Sequence, residues 1–331
     1  MNRLRIFALL AALFALATAF AACGGDDASP EAVVENATLE GAESGDLDLS
    51  LSIDAKGGEG GTLDVDISGP FQTEGEGQPP RLDLTLKSDG ELGGENLDFD
   101  GGLVLLPSKA YVNYEGVYYE VDPTTYSFVK SSLEEAMGEG GESGTAACQE
   151  AASELEVGDF LTNLSDEGST DVGGTSTTKI TGDLDVPGAL DSLIALTNDP
   201  ACKSQLSEEG PFSFGAERLE QIRGTLEAAI KSAPVEIDVG DDDIVRKATA
   251  ELTIEPEEAG VGPERVDLDL DFAMTGVNEE QAIVPPSKSK PLNDLFLKLK
   301  VNPIELLGLL EGGEAGDLGN LLGPGGGNSG N

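Results

Sequence analysis

From Asp46 onward the chain alternates apolar and polar residues with a period of two, and helical stretches interrupt the pattern before it ends at Met274. Leu47, Leu49, Leu51 and Ile53 alternate with Asp48, Ser50, Ser52 and Asp54, and Leu63, Val65 and Ile67 follow a Lys56-to-Gly61 turn. Leu82, Leu84 and Leu86 repeat the pattern after Pro79-Pro80, and Leu97 with Phe99 after another Gly-rich turn. Leu103 to Leu106, Ala110 to Tyr114 and Val117 to Val121 continue it. Successive side chains of a strand point to opposite faces, so this spacing predicts an antiparallel meander with one apolar face.

Asp122-Pro123 ends the first strand group, and helical character follows in Ser131 to Met137 and Ala146 to Leu155. Leu161 and Asn163-Leu164 then lead through Gly168 to Gly174, read as connections, into a strand from Ser176 to Leu184. Pro187 to Thr197 and Ala216 to Ser232 read as helices; the second spaces Leu219, Ile222, Leu226 and Ile230 by three and four. Period two returns in Val235, Ile237 and Val239, in Ala248 to Ile254, and in Val266, Leu268, Leu270, Phe272 and Met274. The prediction is an α+β fold: a sheet of roughly nine or ten strands whose apolar face is covered by the intervening helices. Ser29-Pro30-Glu31 adds an N-cap, a Pro at the first turn and an acid, hence a short helix before the first strand. Residues 29–290 form the predicted domain, and 291–331 a Leu-rich then Gly-rich tail, disordered from Gly312.

The N-terminus changes where this domain must work. Arg3 and Arg5 precede an apolar run from Ile6 to Phe20, and Phe20-Ala21-Ala22-Cys23-Gly24 ends it as a bacterial lipobox does. The run is too short for a comfortable membrane span. The expectation is a signal peptide over 1–22, lipidation of Cys23, and a polar tether over 23–28 that holds the domain on the outer face of the cell membrane. Phe20 stands where Leu is usual, and cleavage near Ala22 without lipidation is the alternative.

Composition then removes whole classes of chemistry. The 331 residues hold 63 acidic and 19 basic side chains, a formal charge of −44. Such an excess argues against nucleic acid and against adsorption to anionic lipid. The chain has no His and no Trp, which removes every Ser-His, Cys-His and His-metal device. With Cys23 assigned to lipid, Cys148 and Cys202 remain as an even pair in an oxidising compartment and are expected to form a disulfide; a reactive free thiol is the alternative.

The layout of lipobox, short helix, meander, central helices and second strand group resembles the LppX/LprAFG family of actinobacterial cell-envelope lipoproteins. The phrases that carry the resemblance are Tyr111 to Tyr119, Thr178 to Asp185, and Asp267 to Phe272 running into Val277-Asn278 and Ile283-Val284-Pro285-Pro286. It spans about residues 29 to 287. It implies a curved antiparallel half-barrel with helices covering its concave side and, between them, a hydrophobic cavity for the acyl chains of lipids or glycolipids in transit. The tail beyond Pro291 has no counterpart in the pattern. Beside this stands the plain physical reading: many Leu residues on one sheet face need more cover than a few short helices give, and incomplete cover leaves an apolar concavity. A filled core uses the same leucines.

Other signals are weaker. Ser127-Phe128-Val129-Lys130 matches SxxK without the companion motifs of the serine enzymes that use it. Asp267, Asp269 and Asp271 share a strand face, but no loop has the form of a calcium site, and a solvated face is the expectation. The reading is therefore a non-catalytic lipoprotein without cofactor or metal that binds or transfers lipid. Leu82, Leu84 and Leu86, Leu268, Leu270 and Phe272, and the helical Leu193 and Ile222 are the expected cavity residues. The expected partners are acyl chains, the membrane through Cys23, and an envelope transport protein. The alternative is an interaction lipoprotein with a filled core that docks a basic envelope partner through its acidic surface.

Overall fold

The computed structural model describes residues 29–58, 60–75, 78–127, 130–131, 160–199, 202, 223–224, 227–255 and 263–300. After the helix α1 (Pro30–Asn36) come β1 (Ser44–Lys56), β2 (Gly61–Gln72), β3 (Arg81–Leu92), β4 (Glu95–Asn96), β5 (Phe99–Leu106), β6 (Lys109–Tyr114) and β7 (Val117–Glu120). The second group is β8 (Leu161–Val172), β9 (Thr175–Leu184), α2 (Val186–Asn198), β10 (Ile230–Ser232), β11 (Pro234–Gly240), β12 (Val245–Ile254) and β13 (Arg265–Thr275). β14 (Lys290–Pro291) and α3 (Leu292–Leu299) follow.

Among the described residues these strands form one 14-stranded sheet in the order β14-β7-β6-β5-β3-β2-β1-β13-β12-β11-β9-β8, with β4 on β3 and β10 on β12. Every pairing is antiparallel except the short parallel one of β14 with β7. Two meanders thus meet where β1 pairs along its length with β13, from Asp46↔Thr275 to Lys56↔Arg265. The two ends of the order do not join, and the architecture is an open half-barrel with few helices. The β2–β3 seam requires glycine at two positions. Gly69 and Gly90 lie within these strands at φ 136° and 145°, and a Cβ on either would strike backbone of the facing strand, so only Gly fits there.

The apolar face predicted from period two is real and continuous, and helices lie on it. α1 starts at Ser29, whose hydroxyl accepts from the Ala32 amide, and buries Val34 and Ala37 against Ile180, Ile237 and Val239 of β9 and β11. At the other end the helical turn 123–127 sets Tyr126 against Leu105 and Ala110, with its hydroxyl donating to the Leu106 carbonyl at 2.6 Å.

Three elements differ from expectation. The stretch read as connections over 161–174 is the long edge strand β8, closed onto β9 by a Gly173-Gly174 turn with both φ positive. Its register shifts twice, around Asn163 and Glu167, which erases the alternation that marks a strand. The expected helix 216–232 ends earlier, because Ile230 to Ser232 pair with β12. The sheet also has more strands than the nine or ten expected, since β4, β8, β10 and β14 carry no periodic signal. The signal segment, Cys23, residues 132–137 of the helix expected over 131–137, the helix expected over 146–155, Cys148, Ile222 and the tail beyond Lys300 lie outside the described residues.

Candidate functional site

The registers settle which side chains share a face. Leu86, Ile67, Leu49, Phe272, Ala248 and Ile237 form one row across β3, β2, β1, β13, β12 and β11. Val65, Leu51, Leu270, Ala250 and Val235 form the next, and Leu63, Ile53, Leu268 and Leu252 a third. With strands about 4.8 Å apart, the six-strand row is about 24 Å long. This is the face on which α1 and Tyr126 pack, so it is the inner one.

Its cover is uneven, with buried and half-buried side chains on the same strands. Leu49, Ile53, Leu63 and Met274 are buried, but Leu51, Val65, Ile67, Leu84, Leu86, Leu268 and Leu270 are only half-buried. On β5 the cover is thinner still: Phe99 is 37% and Leu103 40% exposed. Leu103 stands opposite Leu84 across β3 and β5.

All six expected strand residues lie on this inner face, three on β3 and three on β13, with β1 and β2 between them. They do not play one role. Leu82 packs into the cluster of Leu105, Ala110 and Tyr126, and Phe272 packs against the α1 cluster, so these two are partly core. Leu84, Leu86, Leu268 and Leu270 are among the half-buried residues of the face. Leu193 falls on α2, where the neighbouring Ile194 is buried. Sequence reasoning passed over Leu51, Val65 and Ile67, which share the alternation and the half-burial, and Leu103, which a run of apolar neighbours hides.

The opposite face is polar. Rows such as Asp66, Ser50, Asp271, Thr249 and Asp64, Ser52, Asp269, Glu251 cross the same strands. Ser52 donates to Asp64 at 2.5 Å, and Asp267 accepts from Arg265, Lys56 and Thr253. These contacts hold the Asp267 carboxyl well below the usual carboxylate range, Arg265 contributing most. Among the described residues no three His, Cys, Asp or Glu side chains converge to hold a metal ion, and no helix is long and apolar enough to cross a membrane. At β5 to β7 the outer face turns apolar, where Val104, Leu106, Tyr111 and Tyr118 meet Ile283. Residues 276–291 cross there as a strap. Asn278 accepts from the Glu43 amide, and Arg81 holds the Ile283 carbonyl at 2.6 Å. The strap delivers β14 to the β7 edge and α3 beside it, where Lys298 pairs with Glu115 and lies over the Tyr114 ring.

Of the remaining sequence signals, Ser127 is exposed and donates back to the Thr124 carbonyl, an ordinary helical-turn contact. Cys202 is fully buried and disulfide-bonded.

No family profile and no curated protein matches the sequence. Among solved structures, the chain is similar to LprF of Mycobacterium bovis, at 10% identity and a TM-score of 0.34, over 78% of this chain and 97% of that one. It is similar to the lipoprotein LppX of Mycobacterium tuberculosis at 13% identity and a TM-score of 0.29, over 74% and 91% of the two chains. A LolA superfamily protein of Nitrosomonas europaea follows at 6% and 0.18, over 78% and 96%.

Proposed function

We propose that the protein is a non-catalytic envelope lipoprotein that carries the acyl chains of a lipid or glycolipid on its inner face. The observation that supports this is the set of half-buried residues, Leu51, Val65, Ile67, Leu84, Leu86, Leu268 and Leu270, on a continuous apolar face six strands wide. Each acyl CH₂ moved from water onto such a surface contributes about 0.8 kcal/mol, so burial alone supplies the affinity and no single polar residue is indispensable. The carboxylates of the outer face stay solvated and offer an acyl chain nothing. In this reading Cys23 bears the membrane anchor, Cys148 is the partner of Cys202, no cofactor or metal takes part, and an envelope transport protein is the partner in lipid exchange.

Native mass spectrometry of the mature chain from its own host tests the reading. A discrete lipid mass is expected, and it is lost when Leu84→Asp and Leu270→Asp are combined while the far-ultraviolet circular dichroism is kept. These two positions are chosen over Phe272 because Phe272 also packs the α1 cluster. The acidic outer rows support the second reading, a docking surface for a basic protein. A lipid-free mass under conditions that retain lipid on a known carrier would favour it.

A further inference from the structure

The charge of the chain is uneven, and one edge of the sheet reverses it. Lys288, Lys290, Lys298 and Lys300 are four of the 19 basic side chains, and the stretch they span holds one acid, Asp294. That stretch is the end of the strap, β14 on the β7 edge, and α3 against β7. Lys298 is occupied by Glu115 at 2.6 Å, but Lys288, Lys290 and Lys300 are exposed and make no ion pair among the described residues.

The same edge shows an apolar residue that packing does not explain. Leu292, Leu295, Phe296 and Leu299 recur at helical spacing; Leu295 is buried and the other three are half-buried, so this stripe is the side that α3 turns to the protein. Leu297 lies outside the stripe, next to Lys298, and is 78% exposed. Asn293, one turn earlier on the same side, is exposed as well. This side of α3 borders the open part of the inner face. Lys298 stands 4.7 Å from the centroid of the Tyr114 ring, and that ring is tilted against Phe99 with centroids 6.2 Å apart. Phe99 and Leu103, both exposed, share the inner face of β5 and form a mouth there.

We propose that the exposed side of α3, with the lysines of the strap and β14, docks on a bilayer containing anionic phospholipid and brings the mouth at Phe99 and Leu103 to the source of its lipid. The delivery half of this rests on the reading of the inner face as an acyl-binding surface. Leucine set among lysines meets both chemistries of a bilayer surface: Leu297 enters the acyl boundary while the ammonium groups stay with the phosphates. The outer face of a second copy would match the lysines, but its rows of carboxylates and hydroxyls give Leu297 nothing to pack on. The net charge of −44 opposes adsorption only at long range. At 0.15 M salt that field decays over about 8 Å, so the carboxylates of distant strands are screened while lysines in contact with phosphate are not. β1 and β13, which carry many of those carboxylates, lie five and six strands from β7.

The test uses the full mature chain with Cys23→Ser and an environment-sensitive fluorophore at Asn293→Cys. Vesicles are made of phosphatidylcholine alone or mixed with phosphatidylglycerol, and a blue shift of the label reports docking. Apparent vesicle affinity is expected to rise at least about tenfold with phosphatidylglycerol, and the combination of Lys288→Gln, Lys290→Gln and Lys300→Gln to remove that rise. Leu297→Ser is expected to weaken binding to the mixed vesicles several-fold. The second readout is the transfer of cis-parinaric acid from the mixed vesicles to the protein. Its rate is expected to rise with vesicle concentration and to fall several-fold in the lysine variant, with parinaric acid affinity in the absence of vesicles unchanged. Equal affinity for the two vesicles overturns the docking, and so does a rise that the lysine variant keeps. A blue shift that needs no vesicles overturns it too, in favour of a second copy if it fades on dilution and of the chain itself if it does not. Transfer at a rate independent of vesicle concentration overturns delivery through α3 and leaves the carrier reading standing. Vesicle docking with no parinaric acid bound by any form overturns the carrier reading and delivery together, and leaves the docking standing.

Discussion

Two carboxylates of the outer face respond to pH in opposite ways. Asp83 stands opposite Val104, which is almost fully buried, and desolvation there pushes its carboxyl above the usual range. Arg81, two residues away on the same face, is engaged with the Ile283 carbonyl and with Glu74 and does not offset that burial. Asp267, by contrast, is held low by Arg265, so its stabilisation is present above the unfolded carboxylate range and is lost as pH falls through its folded value. For Asp83 the raised folded value reverses the sign. Its cost is absent at low pH, appears as pH rises past an unfolded value of about 3.9, and is full above the folded value. Asp83→Asn should therefore raise Tm at pH 7 and leave it almost unchanged at pH 3. Thermal melts at the two pH values check this, and a lower Tm at pH 7 would show that the carboxylate makes a favourable contact after all.

At the scale of the element, the seam between β2 and β3 depends on glycine. Gly69 sits at φ 136° with its missing Cβ aimed at the Asp83 carbonyl, so Gly69→Ala combines backbone strain with a backbone collision. A loss of at least about 2 kcal/mol is expected in denaturant titration. Gly75→Ala is a weaker control, with a positive φ but open space around it. The strands that alternate strictly, such as β1, β3 and β13, were legible because each has one wet and one apolar face, and the six strand residues expected in the site lie on the apolar one for that reason. β8 was not legible, since an edge strand with two register shifts needs no alternation: between Leu164 and Val172 it carries no large apolar residue. β14 is two residues long and is placed by the strap that Asn278, Gln281 and Ile283 pin across the sheet, a tertiary cause with no local pattern. For the same reason the sequence showed which leucines face inward but not which of them stay half-covered. That depends on where α1, Tyr126 and α3 come to rest.

On the scale of the whole molecule, the sheet separates two kinds of surface, and the charge is all but one-signed. Asp54 lies directly opposite Asp267 and Asp64 opposite Asp89, and like charges facing each other across strands are destabilising. Local cations relieve some of these pairs, as Lys56 does between Asp54 and Asp267. There are only 19 basic side chains for 63 acidic ones, however, so repulsion must remain on the outer face. Salt shortens the reach of that repulsion from about 30 Å at 0.01 M to about 8 Å at 0.15 M, while the apolar inner face is indifferent to it over this range. The same salt also weakens the exposed ion pairs, each of which contributes at most about 1 kcal/mol. Because acids outnumber bases more than threefold, relief of repulsion should win, and Tm should rise by several degrees between 10 and 150 mM NaCl at pH 7. Calorimetry at the two salt concentrations decides it. A falling Tm would mean that the paired minority of acids, of which Asp267 is the best held, governs the stability of the sheet rather than the unpaired majority. Lipid binding through the inner face should show the opposite insensitivity, with parinaric acid affinity nearly constant across the same salt range, since no charge need be neutralised for an acyl chain to leave water.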